Sequence, residues 1–188
     1  YTLWHTLSLH DALPIYSTVL TCTPSYALYI SEYAEKEGID VDNLSLKTAI
    51  CGAEPWSDNL RKQIEDKLNV DAYDIYGLSE IYGPGVSVEC EEKDGMHVWE
   101  DFFIVEILDK ETYEPVEEGE EGVLAFTTLE KTGMPLIRYI TYDIATFTKE
   151  KCACGRTCGR MSKVTGRADD MLIVRGINVF PSQIEHTL

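Results

Sequence analysis

Between Ser17 and Tyr76 the chain switches repeatedly between strand-like and helix-like patterning, and that alternation leaves few folds open. Ser17 to Cys22 is a short β-rich run. Thr23 offers a hydroxyl cap, with Pro24 at the first helical position. Ala27, Ile30, Tyr33 and Ala34 then recur at helical spacing until Gly38. Leu46 to Cys51 reads as a buried strand running into Gly52-Ala53-Glu54-Pro55. A second helix, capped by Ser57, carries Leu60, Ile64 and Leu68 on one face, and Val70 to Tyr76 is the next strand. A β-α-β-α-β order predicts parallel strands covered by helices, with ligands beyond the carboxyl ends of the strands. The loops after Cys51 and Tyr76 fall there.

From Val86 to Thr148 the pattern becomes short alternating segments: Phe103-Val105-Ile107, Val123-Ala125-Thr127, and Leu136 to Ile140. Acidic turns such as Glu117-Glu118-Gly119-Glu120 separate them. This predicts an antiparallel, β-rich subdomain. The expected fold class is α/β: a partial parallel, helix-covered sheet, then a β-rich subdomain, then the start of a small C-terminal domain. At 188 residues and 44% apolar, the chain can bury one core of ordinary size.

A net charge of −17 argues against nucleic acid and anionic membrane surfaces as partners. No apolar run reaches the length of a membrane span. Cys22 and Cys51 sit in apolar runs, whereas Cys152, Cys154 and Cys158 cluster together. That is not a disulfide framework, and with no evident secretory signal it predicts reduced thiols and a cytoplasmic location. Cys152 and Cys154 supply two soft ligands two residues apart, while Cys90 and His97 bracket a hairpin turn at Lys93-Asp94-Gly95. The set Cys90, His97, Cys152 and Cys154 has the stoichiometry of a closed structural zinc site, with Cys158 as a rival fourth ligand.

Tyr76-Gly77-Leu78-Ser79-Glu80 ends a strand with a glycine that admits close approach of a ligand, then presents two polar side chains. Glu80 is a hard oxygen ligand suited to Mg²⁺ on nucleotide phosphates. This run has company. Gly52-Ala53-Glu54-Pro55-Trp56, the stretch from Asp74 to Gly85, Pro135-Leu136-Ile137-Arg138-Tyr139, the Cys152–Thr157 run, and the block from Gly166 to Pro181 follow in order. Together they resemble the phenylacetate–CoA ligase branch of the acyl-adenylate-forming ligases, and the resemblance extends from Ser17 to Leu188.

The resemblance implies an ATP-dependent ligase that activates an aryl-acetate-like carboxylate as an acyl-adenylate and transfers it to CoA, using ATP/AMP, Mg²⁺ and CoA. It assigns nucleotide contacts to Ala53, Glu54, Pro55, Asp74, Ile75, Tyr76, Gly77, Ser79, Asp143 and Arg167. Asp143 is placed at the ribose, and Arg167 at ribose or phosphate. Glu80 and Arg167 are the implied catalytic groups, with Glu80 on Mg²⁺. Tyr82, Gly83 and Pro84 are implied in the acyl pocket, Asp169 at the hinge, and Gly176 on the path of CoA. Some relatives are also expected to carry the zinc site. One departure concerns Ile140 and Tyr142, which stand where the branch usually carries arginines.

Such ligases also have an upstream phosphate-wrapping loop rich in Ser, Thr and Gly, and a downstream catalytic lysine. Neither occurs here, so the chain is expected to be a fragment, inactive alone. The alternative is a non-catalytic adenylate-binding module that needs a partner chain. Residues 16–168 are expected to be the latter part of the large domain, and 169–188 the hinge and the start of the small one. Residues 1–15 lack periodicity and capping; Ser8 to Ile15 resembles a translated sequencing-adapter remnant, and His5 and His10 receive no role.

Overall fold

A computed structural model describes residues 16–169, 172–174 and 177–179. The expectations for residues 1–15, for Gly176, and for a helix beyond the hinge lie outside the described residues. The chain divides into two compact units, with the break after Tyr73.

The first unit contains β1 (Val19–Cys22), α1 (Pro24–Lys36), β2 (Thr48–Gly52), α2 (Asp58–Leu68) and the opening residues of β3 (Asp71–Leu78). A short 3₁₀ turn, Val41–Asn43, lies between α1 and β2. β1 and β2 pair in parallel, from Val19↔Thr48 to Cys22↔Cys51. Both helices start where the sequence predicts. The Thr23 hydroxyl accepts from the Tyr26 amide, and the Ser57 hydroxyl accepts from that of Leu60. Each cap satisfies an amide that the helix itself cannot. Asn69 closes α2 in the left-handed conformation, φ 52°, with its amide bonded to the Glu65 carbonyl.

The core of this unit is Ala27, Ile30, Ala34, Ala49, Cys51, Ile64, Leu68 and Ala72. Small residues on α1 and β2 let helix and sheet approach closely. Arg61 is buried on the inner face of α2; its guanidinium lies 4.9 Å from the Trp56 ring centre, and Nη1 donates to the Ala72 carbonyl.

The second unit is built on antiparallel pairing. The carboxyl half of β3 is followed by β4 (Gly83–Glu89), β5 (Met96–Val98), β6 (Phe103–Leu108), β7 (Gly122–Thr128), β8 (Tyr139–Ala145), β9 (Phe147–Thr148), β10 (Arg160–Met161) and β11 (Gly166–Arg167). Strands β3-β4-β5-β10-β9 form one sheet in that order, and β11-β8-β7-β6 another. Between them pack Ile81, Val86, Met96, Val98, Phe103, Leu124, Phe126, Ala145 and Met161. β12 (Leu172–Val174) and β13 (Ile177–Val179) pair as an antiparallel hairpin.

The last expected strand of the subdomain needs correction. It runs Tyr139–Ala145, not Leu136 to Ile140. Leu136 instead lies in the preceding loop, where its amide and carbonyl bond Thr128. The apolar Pro135-Leu136-Ile137 triplet suggested strand, but Met134 and Arg138 both adopt positive φ, which interrupts any ladder there.

Ile64 is fully buried, whereas Ile137 is 81% exposed. Ile64→Ala should therefore cost about 2–5 kcal/mol in urea denaturation, and Ile137→Ala should stay within about 0.5 kcal/mol of wild type. A small loss at Ile64 would contradict the assigned core.

Candidate functional site

The geometry of the site starts with an irregularity in β8. Val123 faces Ile144 and Ala125 faces Ile140, so β8 carries two more residues than β7 over the same span. The bulge contains Thr141, Tyr142 and Asp143, with Tyr142 at φ 64°. Bulges re-aim side chains beside functional sites. Here the Thr141 hydroxyl donates to the Leu124 carbonyl at 3.0 Å and accepts from the Asp143 amide at 3.1 Å. Asp143 is thereby held inside the unit, 4% exposed.

A buried carboxylate must be paired to remain charged. Asp143 Oδ2 accepts from the Tyr76 hydroxyl at 2.6 Å, and Oδ1 accepts from Arg167 Nη1. Arg167 lies directly opposite Asp143 in the β8–β11 ladder. Its Nε and Nη2 grip both oxygens of Asp169 at 2.7 Å each, and Nη2 also donates to the Thr141 carbonyl at 3.1 Å. One guanidinium thus links the expected ribose aspartate to the expected hinge aspartate. Among the described residues these bonds use four of its roughly five N–H donors and leave one on Nη1.

Burial raises the Asp143 carboxyl above the ordinary range; the Tyr76 hydrogen bond and the Arg167 charge pull it back. Burial likewise pushes the Tyr76 phenol well above its usual value, and the Asp143 charge pushes it further. Tyr76 therefore stays a proton donor to the carboxylate. Contact with Asp169 and Asp143 holds the Arg167 guanidinium protonated.

An aromatic chain leads away from Tyr76. Its ring stacks on Phe126 at 6.1 Å, Phe126 meets Phe103 edge-on at 6.3 Å, and Phe103 meets Tyr82 at 6.2 Å. Phe102 lies 6.1 Å from Tyr82. Phe103 and Phe126 are buried, while Tyr82 is 57% exposed. The chain ends on an open aromatic face next to Gly83.

A second cluster occupies the opposite end of β4. Lys93 and Gly95 both take positive φ in the turn joining β4 to β5. A Cβ on Gly95 would come within 2.9 Å of the Met161 carbonyl, so only glycine fits this tight turn. The hairpin sets Cys90 and His97 facing the loop before β10. Ligand atoms of Cys90, His97, Cys152 and Cys154 all lie within 4.8 Å of one another. Cys90 and Cys152 sulfurs are 3.7 Å apart, and Cys154 Sγ is 3.4 Å from His97 Nε2. His97 Nδ1 faces the Cys158 carbonyl and sulfur, both at 3.4 Å. The Cys158 side chain is therefore on the wrong ring nitrogen to be a ligand, and its carbonyl orients the imidazole with Nε2 inward.

Burial keeps His97 neutral and pushes the Cys90 thiol up to about 11, while the Arg156 backbone amide, helped by its side chain donating to Cys154 Sγ at 3.5 Å, holds the Cys154 thiol down. Three sulfurs and one imidazole gathered within 4.8 Å of one another are a donor set that suits Zn²⁺. Four protein donors leave no open position, so such a metal would be structural and would clip the β4–β5 hairpin to the loop before β10.

The remaining expected residues divide between the units. In the first, Ala53 is exposed at φ 65°, Pro55 is exposed, and the Glu54 carboxylate accepts from both Ser25 N–H and Oγ at the start of α1. In the second, Asp74 is buried and its amide donates to Glu89 at 2.7 Å; Ile75 and Gly77 are half-buried on β3. Ser79 and Glu80 are exposed in the turn after β3, where Lys131 Nζ donates to the Glu80 carbonyl. Phe102, Phe103, Phe126, Thr141 and Lys131 were not expected. Phe103 opens the alternating β6 segment, whereas Phe126 lies in a continuous apolar run of β7 with no alternation to mark it, and a single sequence carries no signal for the others.

The family model described as acyl-protein synthetase, LuxE, matches residues 56–183. The phenylacetate-coenzyme A ligase of Thermus thermophilus is 54% identical over 171 residues, covering 90% of this chain and 38% of the relative. That of Escherichia coli K12 is 47% identical over 172 residues, covering 90% and 39%. The chain belongs to this acyl-protein synthetase family and groups with the phenylacetate–CoA ligases.

Among solved structures, 2-hydroxyisobutyryl-CoA ligase in complex with 2-HIB-AMP and CoA in the thioesterification state matches with a TM-score of 0.91 at 29% identity, covering 97% of this chain and 39% of that one. The same ligase in the postadenylation state matches at 0.82, covering 96% and 39%. The chain thus spans well under half the length of its ligase relatives. Its α/β fold with a β-rich subdomain is the ligase architecture over that span. No helix among the described residues is long and apolar enough to cross a membrane.

Two predictions test the two clusters. Elemental analysis should find about one zinc per chain in wild type and in Cys158→Ser, but not in Cys152→Ser; equal loss in both variants would put Cys158 among the ligands. The second concerns Asp143. Because folding raises its pKa, the folded chain holds that proton more tightly than the unfolded one. Its contribution to stability is present below the unfolded value, about 3.9, and is lost as pH rises through the folded value. By carboxyl NMR, Asp143 should titrate above ordinary aspartates. Tyr76→Phe should move it higher still, because the lost hydrogen bond favours the charged form; a downward move would refute that role.

Proposed function

We propose that this segment supplies the ribose-binding side of an ATP-dependent ligase that converts an aryl-acetate-like carboxylate to its acyl-adenylate and then to a CoA thioester. The observation that carries the reading is the Tyr76–Asp143–Arg167–Asp169 network in a chain about half identical to phenylacetate-coenzyme A ligases. A carboxylate has about four acceptor directions, and two are filled. The others suit the 2′- and 3′-hydroxyls of a ribose, a vicinal diol whose donors match one carboxylate. The remaining Arg167 N–H suits the adjacent phosphate.

In this reading Tyr76 and Arg167 hold the carboxylate ionised and fixed, so that nucleotide binding costs little reorganisation. Adenylation develops negative charge on the transferring phosphate, and the protonated guanidinium stabilises it. Glu80, exposed at the end of β3, would hold Mg²⁺, which when bound neutralises phosphate charge. Tyr82 and Phe102 offer ring faces to a flat aryl acid beside Gly83 and Pro84. CoA is the acyl acceptor, as in the named relatives, and Asp169 is assigned to the hinge. We place the enzyme in the reducing cytoplasm, a setting supported by six thiol cysteines without a disulfide.

The 188-residue chain is expected to bind AMP weakly and to release no pyrophosphate from ATP with phenylacetate and Mg²⁺. Calorimetric titration should show AMP affinity falling at least tenfold in Asp143→Ala, about 1.4 kcal/mol, with the fold retained by circular dichroism. Unchanged affinity would remove the ribose assignment, and phenylacetate-dependent pyrophosphate release would contradict the expected inactivity.

A further inference from the structure

Two cysteines take no part in either cluster. Cys22 ends β1, and Cys51 lies in β2 one residue before the Gly52–Pro55 loop. The parallel register sets them directly opposite each other. Opposed residues of neighbouring strands project to the same face, and strands about 4.8 Å apart fall within the Cα separation that a disulfide spans, about 4.4–6.8 Å. The two thiols are hydrogen-bonded, and the bond from Cys51 lowers the pKa of Cys22 against the opposing effects of burial and the Glu54 charge. Access differs between them. Cys51 is wholly buried in the core, whereas Cys22 is half-buried.

We propose that Cys22 and Cys51 form a redox-active dithiol whose oxidant is hydrogen peroxide. Peroxide is small enough for a half-buried sulfur, and its neutrality matters on a chain of charge −17, which repels bulky anionic disulfides. The Cys22 thiolate attacks one peroxide oxygen. The O–O bond breaks, Cys22 becomes a sulfenic acid, and hydroxide leaves and takes a proton to become water. The Cys51 sulfur then attacks the Cys22 sulfur; the S–O bond breaks, its hydroxide leaves as water with the Cys51 proton, and the S–S bond forms. Overall, two thiols are oxidised to one disulfide while one peroxide is reduced to two waters. The bridge ties β1 to β2 immediately before Ala53, whose left-handed backbone begins the loop.

The test is peptide mapping of the zinc-loaded 188-residue chain after peroxide treatment, capping of thiols with N-ethylmaleimide, and digestion without reductant. The expected product joins the peptides of Cys22 and Cys51, about 2 Da lighter than their sum, and dithiothreitol separates them. In Cys51→Ser the Cys22 sulfenic acid should persist and be trapped by dimedone; in Cys22→Ser, Cys51 should stay reduced. The wild-type digest decides even if a variant fails to fold. Stepwise oxidation of Cys22 to sulfinic acid with Cys51 untouched would overturn the proposal. So would linkage of Cys22 to a cysteine other than Cys51, or both thiols surviving a dose that oxidises Cys154 or Cys158.

Discussion

The buried charge of Asp143 is the constraint on which the second unit depends. A carboxylate taken out of water needs compensation, and leaving it unpaired costs about 3–5 kcal/mol. The chain compensates it from two directions, Tyr76 from β3 and Arg167 from β11, while the Asp143 amide donates to the Thr141 hydroxyl and fixes the backbone there. These two donors come from different parts of the sequence, so the pairing also fixes how β3, β8 and β11 meet. The two-residue bulge in β8 lies at this pairing, with Thr141, Tyr142 and Asp143 inside it.

Arg167 converts that local compensation into a longer connection. Its bidentate grip on Asp169 lies in series with its bond to Asp143. At the other end of the unit, the sulfur and imidazole cluster performs a simpler task. It joins the short β4–β5 hairpin to a loop that has little apolar surface of its own. A cation bound there would add a clip to a hairpin whose Val86, Met96 and Val98 already pack in the core.

Much of this was legible in the sequence, for reasons that can be named. Helix starts were readable because Thr23 and Ser57 are local caps, and the core faces of α1 and α2 because Ala27, Ile30, Ile64 and Leu68 repeat at helical spacing. The metal set was readable because Cys and His in this pattern have few other shared uses. The course of β8 was not, since Pro135, Leu136 and Ile137 look like a strand while positive φ at Met134 and Arg138 holds them in a loop. The aromatic chain from Tyr82 to Tyr76 was also hidden, because it joins four strands or turns far apart in sequence. Thr141 escaped notice for a related reason: its role exists only in the bulge.

The most direct test of the account is a comparison of AMP with 2′,3′-dideoxy-AMP by titration calorimetry on the wild-type chain. The two ligands share base and phosphate and differ only in the ribose hydroxyls that Asp143 is proposed to accept. The account predicts at least tenfold weaker binding of the dideoxy nucleotide, about 1.4 kcal/mol, with the difference abolished in Asp143→Asn. Equal affinities for the two nucleotides in the wild-type chain would contradict it.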